Sequence, residues 1–383
     1  MNSGAAGPQR IAIVHEWFTS MRGGEKCVEA MCEAFPHADV YALLHVPGTV
    51  SSVIERAIAG TSFIQHLPAA ATRYRNYLPL FPLAVRRFDL SGYDLVISSN
   101  HCVAKGARTG RNTLHLCYCY TPMRYIWGLY DEYFGKGRAG LLTRGAMRAF
   151  VGPLRRWDLA TARNPHRFVA ISHNVRRRIQ EIYGRDADVI YPPVDTSRFT
   201  LSRDDDGYYL IVSALVPYKA VDLAIAAFNA SGDRLVIVGE GPDRRRLEAL
   251  AGPTIQFDGW QSDDRLAEYY AGCSAVIFPG EEDFGIVPVE AMATGKPVLA
   301  YARGGALETV VDRPGLRAGV FFHEQTVASL LEGLEKLKRT EFDASALRRH
   351  ALTFDRELYK SQLMDFCLRR WREFTSGSLQ AYI

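Results

Sequence analysis

"SAVIFPGEEDFGIVPVEAMATGKPVLAY", residues 274–301, is the stretch on which the reading of this chain turns. A short apolar run stops at Pro279 and Gly280, the acids Glu281, Glu282 and Asp283 follow, and a helix-like segment leads to a second apolar run. Pro288 suits the first turn of a helix, where its missing N–H costs nothing. That places the helix start near Ile286 or Val287, with Gly295 near its C-terminal end. Strand, helix and strand at this spacing form a βαβ unit, which makes the two strands parallel.

The acids allow two readings from this stretch alone. In one, Glu290 interacts favourably with the helix dipole and the other three carboxylates are a solvated loop. In the other, the first helical N–H groups meet a phosphate, and Gly285 leaves room for a close neighbour. Glu290 then accepts hydrogen bonds from a vicinal diol such as a ribose, with Glu282 on the far side of the phosphate.

The same alternation extends in both directions. Upstream lie "YYLIVSALV", a helix near residues 222–229, "RLVIVGEGP", a helix near 243–251, "TIQFDGW" and a helix near 263–271. The first half opens with "RIAIVHEWF", a Gly pair, and a helical pattern with Val28, Met31, Cys32 and Phe35 on one side. "DLVISS", "TLHLCYCY", "RFVAIS" and "DVIYPPVDTSRF" are further strand candidates, the last ended by its prolines. Short apolar strands alternating with amphipathic helices predict parallel sheets covered on both faces. The expected architecture is α/β: two doubly wound, Rossmann-like domains facing each other across a cleft. Their expected spans are 10–200 and 207–353, with "TLSRDDDG" as the boundary. A C-terminal helix, 354–383, is expected to pack back toward the first domain.

A chain of 383 residues suits two domains. With 48% apolar and 23% charged residues the composition is that of a soluble globular protein. No apolar run approaches the roughly 18 residues of a membrane helix, and "MNSGAAGPQR" lacks a signal-peptide core. Seven cysteines without a C-x-x-C pair read as reduced, cytoplasmic thiols. Net charge is +4, unevenly spread: from Lys136 to Arg167 eight Lys/Arg residues face one acid, Asp158. Leu141, Leu142, Phe150, Leu154 and Trp157 are interleaved with them. That stripe suits an anionic membrane surface, a nucleic-acid face or a plain solvated helix side, and no nucleic-acid motif accompanies it. No G-x-G-x-x-G follows the first strand and no P-loop occurs, which disfavours a dehydrogenase or a P-loop NTPase.

"GEEDFGIVPVEAMATGKPVLAYARGGALETV" resembles the signature region of the retaining glycosyltransferases of family 4, which have the GT-B fold. Their E-x7-E pair is matched by Glu282 and Glu290, and "MRGGEK", "ISHN", "YPPVDTSRF", "SALVPYK", "VGEGP" and "FDGW" follow the family's order. The resemblance implies that Glu290 holds the donor ribose and Glu282 contacts the transferred sugar. Backbone amides of Gly285, Ile286 and Val287 would meet the diphosphate, and Lys219 would neutralise it as it leaves. Gly23 and Gly24 would let the first loop approach closely, while Gly259 and Trp260 would lie beside the base.

Two departures stand out. Ala214 occupies the place of a family arginine, for which Arg303 or Arg22 is a candidate replacement. Tyr120, in "CYCYTPMRY", stands where the family has a histidine beside the sugar; a tyrosine there can donate a hydrogen bond but is a poor base at neutral pH. That points to front-face substitution, in which the departing phosphate oxygen takes the acceptor proton. His101, His115 and His173 are possible stand-ins, each also readable as structural. His15 and Glu16 either touch substrate or belong to a packed loop. Asp204–Asp206 reads as a solvated linker, so no metal site and no essential metal is expected.

The expected activity is transfer of a hexose, first of all mannose from GDP-mannose, as substrate, to a polyprenyl-diphosphate-linked or polysaccharide acceptor in surface glycan synthesis. The expected location is cytoplasmic, peripheral to the inner membrane face, with no nucleic-acid partner. A nucleotide-sugar epimerase, a glycoside phosphorylase and a non-catalytic nucleotide-sugar-binding protein are the alternatives.

Overall fold

A computed structural model describes residues 7–128 and 141–379. The chain divides into two compact units, residues 1–193 with 357–383 and residues 194–356.

The first unit is built on a seven-stranded sheet in the order β3-β2-β1-β4-β5-β6-β7. Its strands are β1 Ile11–Phe18, β2 Asp39–His45, β3 Ile58–Thr61, β4 Leu95–Asn100, β5 Leu114–Cys119, β6 Arg167–Ala170 and β7 Ala187–Val189. All pairings are parallel; in the centre Val14 pairs with Tyr41 on one side and Ser98 on the other. Helices fill one face with Tyr74, Leu78, Phe81 and Val85 against Val14, Trp17 and Val96. β2 and β3 are additional to the strands legible in the sequence. The "YALLH" of β2 lacks the β-branched enrichment that separates a strand from a helical segment, and β3 contains a glycine on an edge.

Asp158, the one acid of the basic stripe, is not on a surface. It is buried on the helix Leu141–Thr161, paired with buried Lys105, and accepts bonds from Trp127 Nε1 at 2.7 Å and Tyr183 Oη at 2.9 Å. The C-terminal helix Arg356–Thr375 lies on this unit: Tyr359 meets the Tyr118 ring edge-on at 5.7 Å, and Arg370 reaches Asp188 at 3.2 Å.

The second unit carries a six-stranded parallel sheet, β10-β9-β8-β11-β12-β15. Its strands are β8 Tyr209–Val212, β9 Leu235–Val238, β10 Ile255–Gly259, β11 Ala275–Phe278, β12 Val298–Tyr301 and β15 Gly319–Phe322; a small hairpin, β13 Asp312–Arg313 and β14 Leu316–Arg317, precedes β15. The helix between β11 and β12 runs Ile286–Ala293, and Gly295 follows it with φ +87°.

The stretch "TLSRDDDG" is not a linker between bodies. Ser202 N–H bonds to Thr294 O at 3.0 Å, Asp206 N–H to Gly272 O at 2.9 Å, and buried Lys296 reaches the Asp204 carbonyl, so the stretch is stitched into the second unit. The division therefore falls earlier, after Pro193. All seven cysteines are buried, and none forms a disulfide.

Candidate active site

Parallel sheets gather ligands beyond the carboxyl ends of their strands, where the strand order reverses. In the second unit that point lies between β8 and β11. The loop after β8 ends in the turn Pro217–Lys219, and the loop after β11 carries Glu281, Glu282 and Asp283. Gly280 lies against the first loop: a Cβ there would stand 2.8 Å from Lys219 Cα. Gly305, in the loop after β12, donates its N–H to Glu282 O at 2.7 Å, and a Cβ on it would stand 2.3 Å from Phe284 Cα. Neither contact leaves room for a side chain, which gives "PGEED" and "ARGG" their glycines a packing reason.

This packing brings Lys219 and Glu282 into an ion pair across the switch point, with side-chain exposures of 15% and 25%. A pair this exposed adds little to stability. It sets a cation and a carboxylate side by side at the carboxyl edge of the sheet.

Three residues on, Gly285 adopts φ +99°, a left-handed conformation that favours glycine, and caps the helix Ile286–Ala293. The first amides of a helix have no intrahelical partner and carry the positive end of its dipole. Gly285, Ile286 and Val287 therefore present a backbone suited to a phosphate. Glu290, on the same helix, is 8% exposed, and its Oε2 accepts a bond from Tyr270 Oη at 2.8 Å. Tyr270 is fully buried; burial, then the Glu290 charge, pushes its own hydroxyl well above the usual tyrosine range. Tyr270 is a partner of Glu290 with no signal in the sequence, because its helix, Asp263–Gly272, meets Glu290 only in the folded structure.

Asp283, unlike exposed Glu281, is buried, so these acids are not uniformly a solvated loop. Gly259 ends β10 at φ +67°, and Trp260 after it is 75% exposed. Arg303 is exposed just past β12, while Ala214 leaves no cation after β8 before Lys219. Asp205 accepts from Ser274 Oγ at 2.5 Å and from Gly207 N–H at 3.0 Å, a loop-fastening arrangement.

In the first unit, Gly23 and Gly24 open the helix Gly23–Ala34 beyond β1. Tyr120 Oη donates to Gly24 O at 3.1 Å and shares a 2.8 Å bond with Ser99 Oγ, which in turn meets His15 Nδ1 at 2.9 Å. As it stands Tyr120 spends its proton on the glycine turn. His115 is fully buried against Ser98 Oγ at 3.0 Å; burial, then the neighbouring His166, drives it down to about 3, the state of a neutral structural imidazole. His173 begins the helix His173–Tyr183.

Of the basic stripe, Lys136 and Arg138 lie outside the described residues, as do the side chains of Leu141, Leu142 and Arg144. Beyond them Arg148, Phe150, Arg156, Leu159 and Arg163 are exposed, whereas Leu154 and Asp158 are buried. Among the described residues no helix is long and apolar enough to cross a membrane, and no cluster of His, Cys, Asp and Glu has the form of a metal site.

Two family models match the chain: glycosyltransferase family 4 over residues 21–198 and glycosyl transferases group 1 over residues 194–352. Over 107 residues the chain is 41% identical to a GDP-mannose-dependent alpha-mannosyltransferase of Mycobacterium tuberculosis, covering 27% of this chain and 28% of that protein. It is 34% identical over 154 residues to a D-inositol 3-phosphate glycosyltransferase of Mycobacteroides abscessus, covering 34% of each. The chain thus spans about a third of the length of these curated relatives. Among solved structures, HepE of Anabaena in complex with UDP and glucose superimposes with a TM-score of 0.66 at 18% identity, covering 93% of this chain and 98% of that one. Two parallel-sheet units of seven and six strands, matched in this way, are the GT-B fold. On its sequence, its sheets and its matches over both units, the chain belongs to the family 4, group 1 glycosyltransferases.

Proposed function

We propose that the protein transfers a hexose, with retention of configuration, from a nucleoside-diphosphate sugar to a lipid-linked or polysaccharide acceptor. Mannose from GDP-mannose is the first donor to test. The observation that carries the reading is the run of features at the β8–β11 switch point. A Lys219–Glu282 pair, a glycine-capped helix start and a carboxylate on that helix held by Tyr270 follow one another there. In this reading Lys219 and the amides of Gly285, Ile286 and Val287 bind the diphosphate and stabilise the charge that builds on it as it leaves. Glu282, released from Lys219, takes hydroxyls of the sugar, and Glu290 takes the ribose diol. No protein base is required where the departing phosphate oxygen accepts the acceptor proton. The positive charge comes from the protein, so the reading needs no metal.

The similarity to a GDP-mannose-dependent enzyme supports the donor, while the UDP complex of a structural neighbour makes UDP-sugars the competing choice. Thermal unfolding in the presence of GDP-, UDP-, ADP- and TDP-sugars separates them, because a ligand of the native state raises its midpoint. GDP-mannose is expected to give the largest rise. Glu282→Ala and Glu290→Ala are expected to abolish transfer while leaving a folded protein; full activity in both would reject the site. Donor conversion without acceptor would reveal an epimerase, phosphate dependence a phosphorylase, and binding without turnover a non-catalytic protein.

The proposal extends to location. The exposed residues Arg148, Phe150, Arg156, Leu159 and Arg163 suit contact with the anionic inner leaflet. An acid-free run from Arg56 to Phe88 adds exposed Arg73, Arg75, Arg86 and Arg87 beside exposed Leu80 and Leu83. Sedimentation with phosphatidylglycerol vesicles, lost at high salt, is the expected result; equal binding to phosphatidylcholine vesicles would contradict it.

A further inference from the structure

The sheet of the first unit has its own order reversal, between β1 and β4. Glu16, near the carboxyl end of β1, is fully buried there. Its Oε1 accepts N–H bonds from all four residues of the turn leaving β4: His101 at 3.1 Å, Cys102 at 2.9 Å, Val103 at 3.1 Å and Ala104 at 3.2 Å. Its Oε2 lies 2.9 Å from His101 Nδ1, so the carboxylate faces the ring directly. Trp17 meets the same ring edge-on at 4.7 Å. The His101 side chain keeps 26% exposure, and its Nε2, the ring nitrogen away from Glu16, has no hydrogen-bond partner among the described residues.

A neutral amide would close the turn after β4 as well as a carboxylate does, without the cost of burying a charge, which is several kcal/mol. The charge is spent on the imidazole. Beside it, buried His15 has no hydrogen bond at Nε2, which faces Glu25 Oε1 at 3.9 Å. A switch point is where an open parallel sheet takes its ligand.

We propose that His101 contacts substrate, donating its Nε2–H to a hydroxyl oxygen of a sugar while Glu16 holds the ring. The inference rests on the glycosyltransferase reading above and adds a residue to it. Both the donor sugar and a glycan acceptor offer such an oxygen. The groups facing His101 are Glu16 and His15 on β1, Glu25 on the helix Gly23–Ala34, Arg124 on the helix Arg124–Trp127, and neutral Tyr120 after β5. Burial lowers its basicity and Arg124 opposes the proton, but the charges of Glu16 and Glu25 outweigh them and its pKa is raised. The donating form is thus present below that raised value and is lost as pH rises through it.

The test measures GDP release from GDP-mannose against pH in full-length protein, once with water as acceptor and once with methyl α-mannoside or methyl α-glucoside. The wild-type rate is expected to fall at high pH. Glu16→Gln, which keeps an acceptor for the turn but removes the charge, moves that fall to lower pH. His101→Gln, which keeps a neutral N–H, removes the titration and lowers turnover about 10- to 100-fold. Loss in both arms assigns the contact to the donor sugar, and loss only with the methyl glycosides assigns it to the acceptor. His101→Gln with the wild-type rate and profile in both arms overturns the proposal, as does a wild-type rate that rises with pH. Should Glu16→Gln not fold, His101→Gln and the NMR titration of the His101 ring in wild-type protein decide alone: a ring pKa at or below 6.5 refutes it. Wild-type protein that releases no GDP in either arm defeats the functional reading, and this inference with it.

Discussion

At the β8–β11 switch point Lys219 and Glu282 are both partly exposed, whereas at β1–β4 Glu16 is sealed from solvent and only His101 reaches the surface. The sheets are of one kind and each point pairs a cation with a carboxylate, yet solvation divides the work differently. In the second unit either charge can leave its partner when a ligand arrives, since the exposed pair is worth little to the fold. In the first unit the carboxylate is committed to four backbone amides and cannot leave. What reaches solvent there is the His101 imidazole. On the proposed function, one site exchanges an internal partner for a ligand, and the other keeps a fixed anion beneath a donor.

Three experiments sharpen or break this contrast. The largest effect belongs to Lys219→Ala, expected to slow transfer by about 10²- to 10³-fold, the usual cost of removing one group aimed at developing charge. Its unfolding free energy should change by less than about 1 kcal/mol. A large loss of stability in urea unfolding would show the pair to be structural and erase the contrast.

Next is the pH dependence of stability at Glu16. Burial pushes its carboxyl up, but the His101 charge and hydrogen bonding outweigh this and hold it at about 2, below the usual carboxylate range. A carboxyl depressed in the folded state contributes stability that is present above its unfolded pKa and lost as pH falls through the folded one. Unfolding free energy should therefore drop by about 3 kcal/mol between pH 5 and pH 2 on this account. Glu16→Gln should flatten that part of the curve, and an unchanged slope would remove Glu16 from the comparison.

The smallest effect is expected of Tyr270→Phe. It deletes one hydrogen bond to Glu290 and keeps the ring, which packs edge-on to Phe199 at 5.6 Å. Binding of the nucleoside diphosphate, followed by calorimetry, should weaken about tenfold, in keeping with a bond to a charged group. Unaltered affinity would mean that Glu290 needs no support to meet a ribose.

The parts of the molecule that were legible beforehand share a property: their partners are close in sequence or follow from strand order. Pro288, Gly285 and Gly295 mark a helix whose start and end lie where those residue preferences put them. Lys219 and Glu282 belong to loops that leave neighbouring strands, so the alternation of elements already brings them to one edge. By contrast, His101 and Glu16 are 85 residues apart and Glu290 and Tyr270 are 20 apart, with no local pattern to join them. Asp158 shows the same limit from the other side. As a lone acid in a basic run it read as part of a surface, yet it pairs with Lys105, 53 residues away, in the interior.

Sequence by itself determined the two parallel-sheet units and most of their strands along the chain, and it put Lys219, Glu282 and Glu290 at or just beyond strand ends. Residue type and short-range spacing specify helix starts, turns and buried strands, because backbone geometry restricts them locally. Tertiary structure alone decided which charges are sealed and which are offered. It placed "TLSRDDDG" inside the second unit, gave Glu290 its tyrosine, committed the Tyr120 proton to Gly24, and set His101 over a buried carboxylate. The physical reason is that desolvation depends on everything packed around a group. Most of that packing comes from distant segments, which no window of the sequence contains.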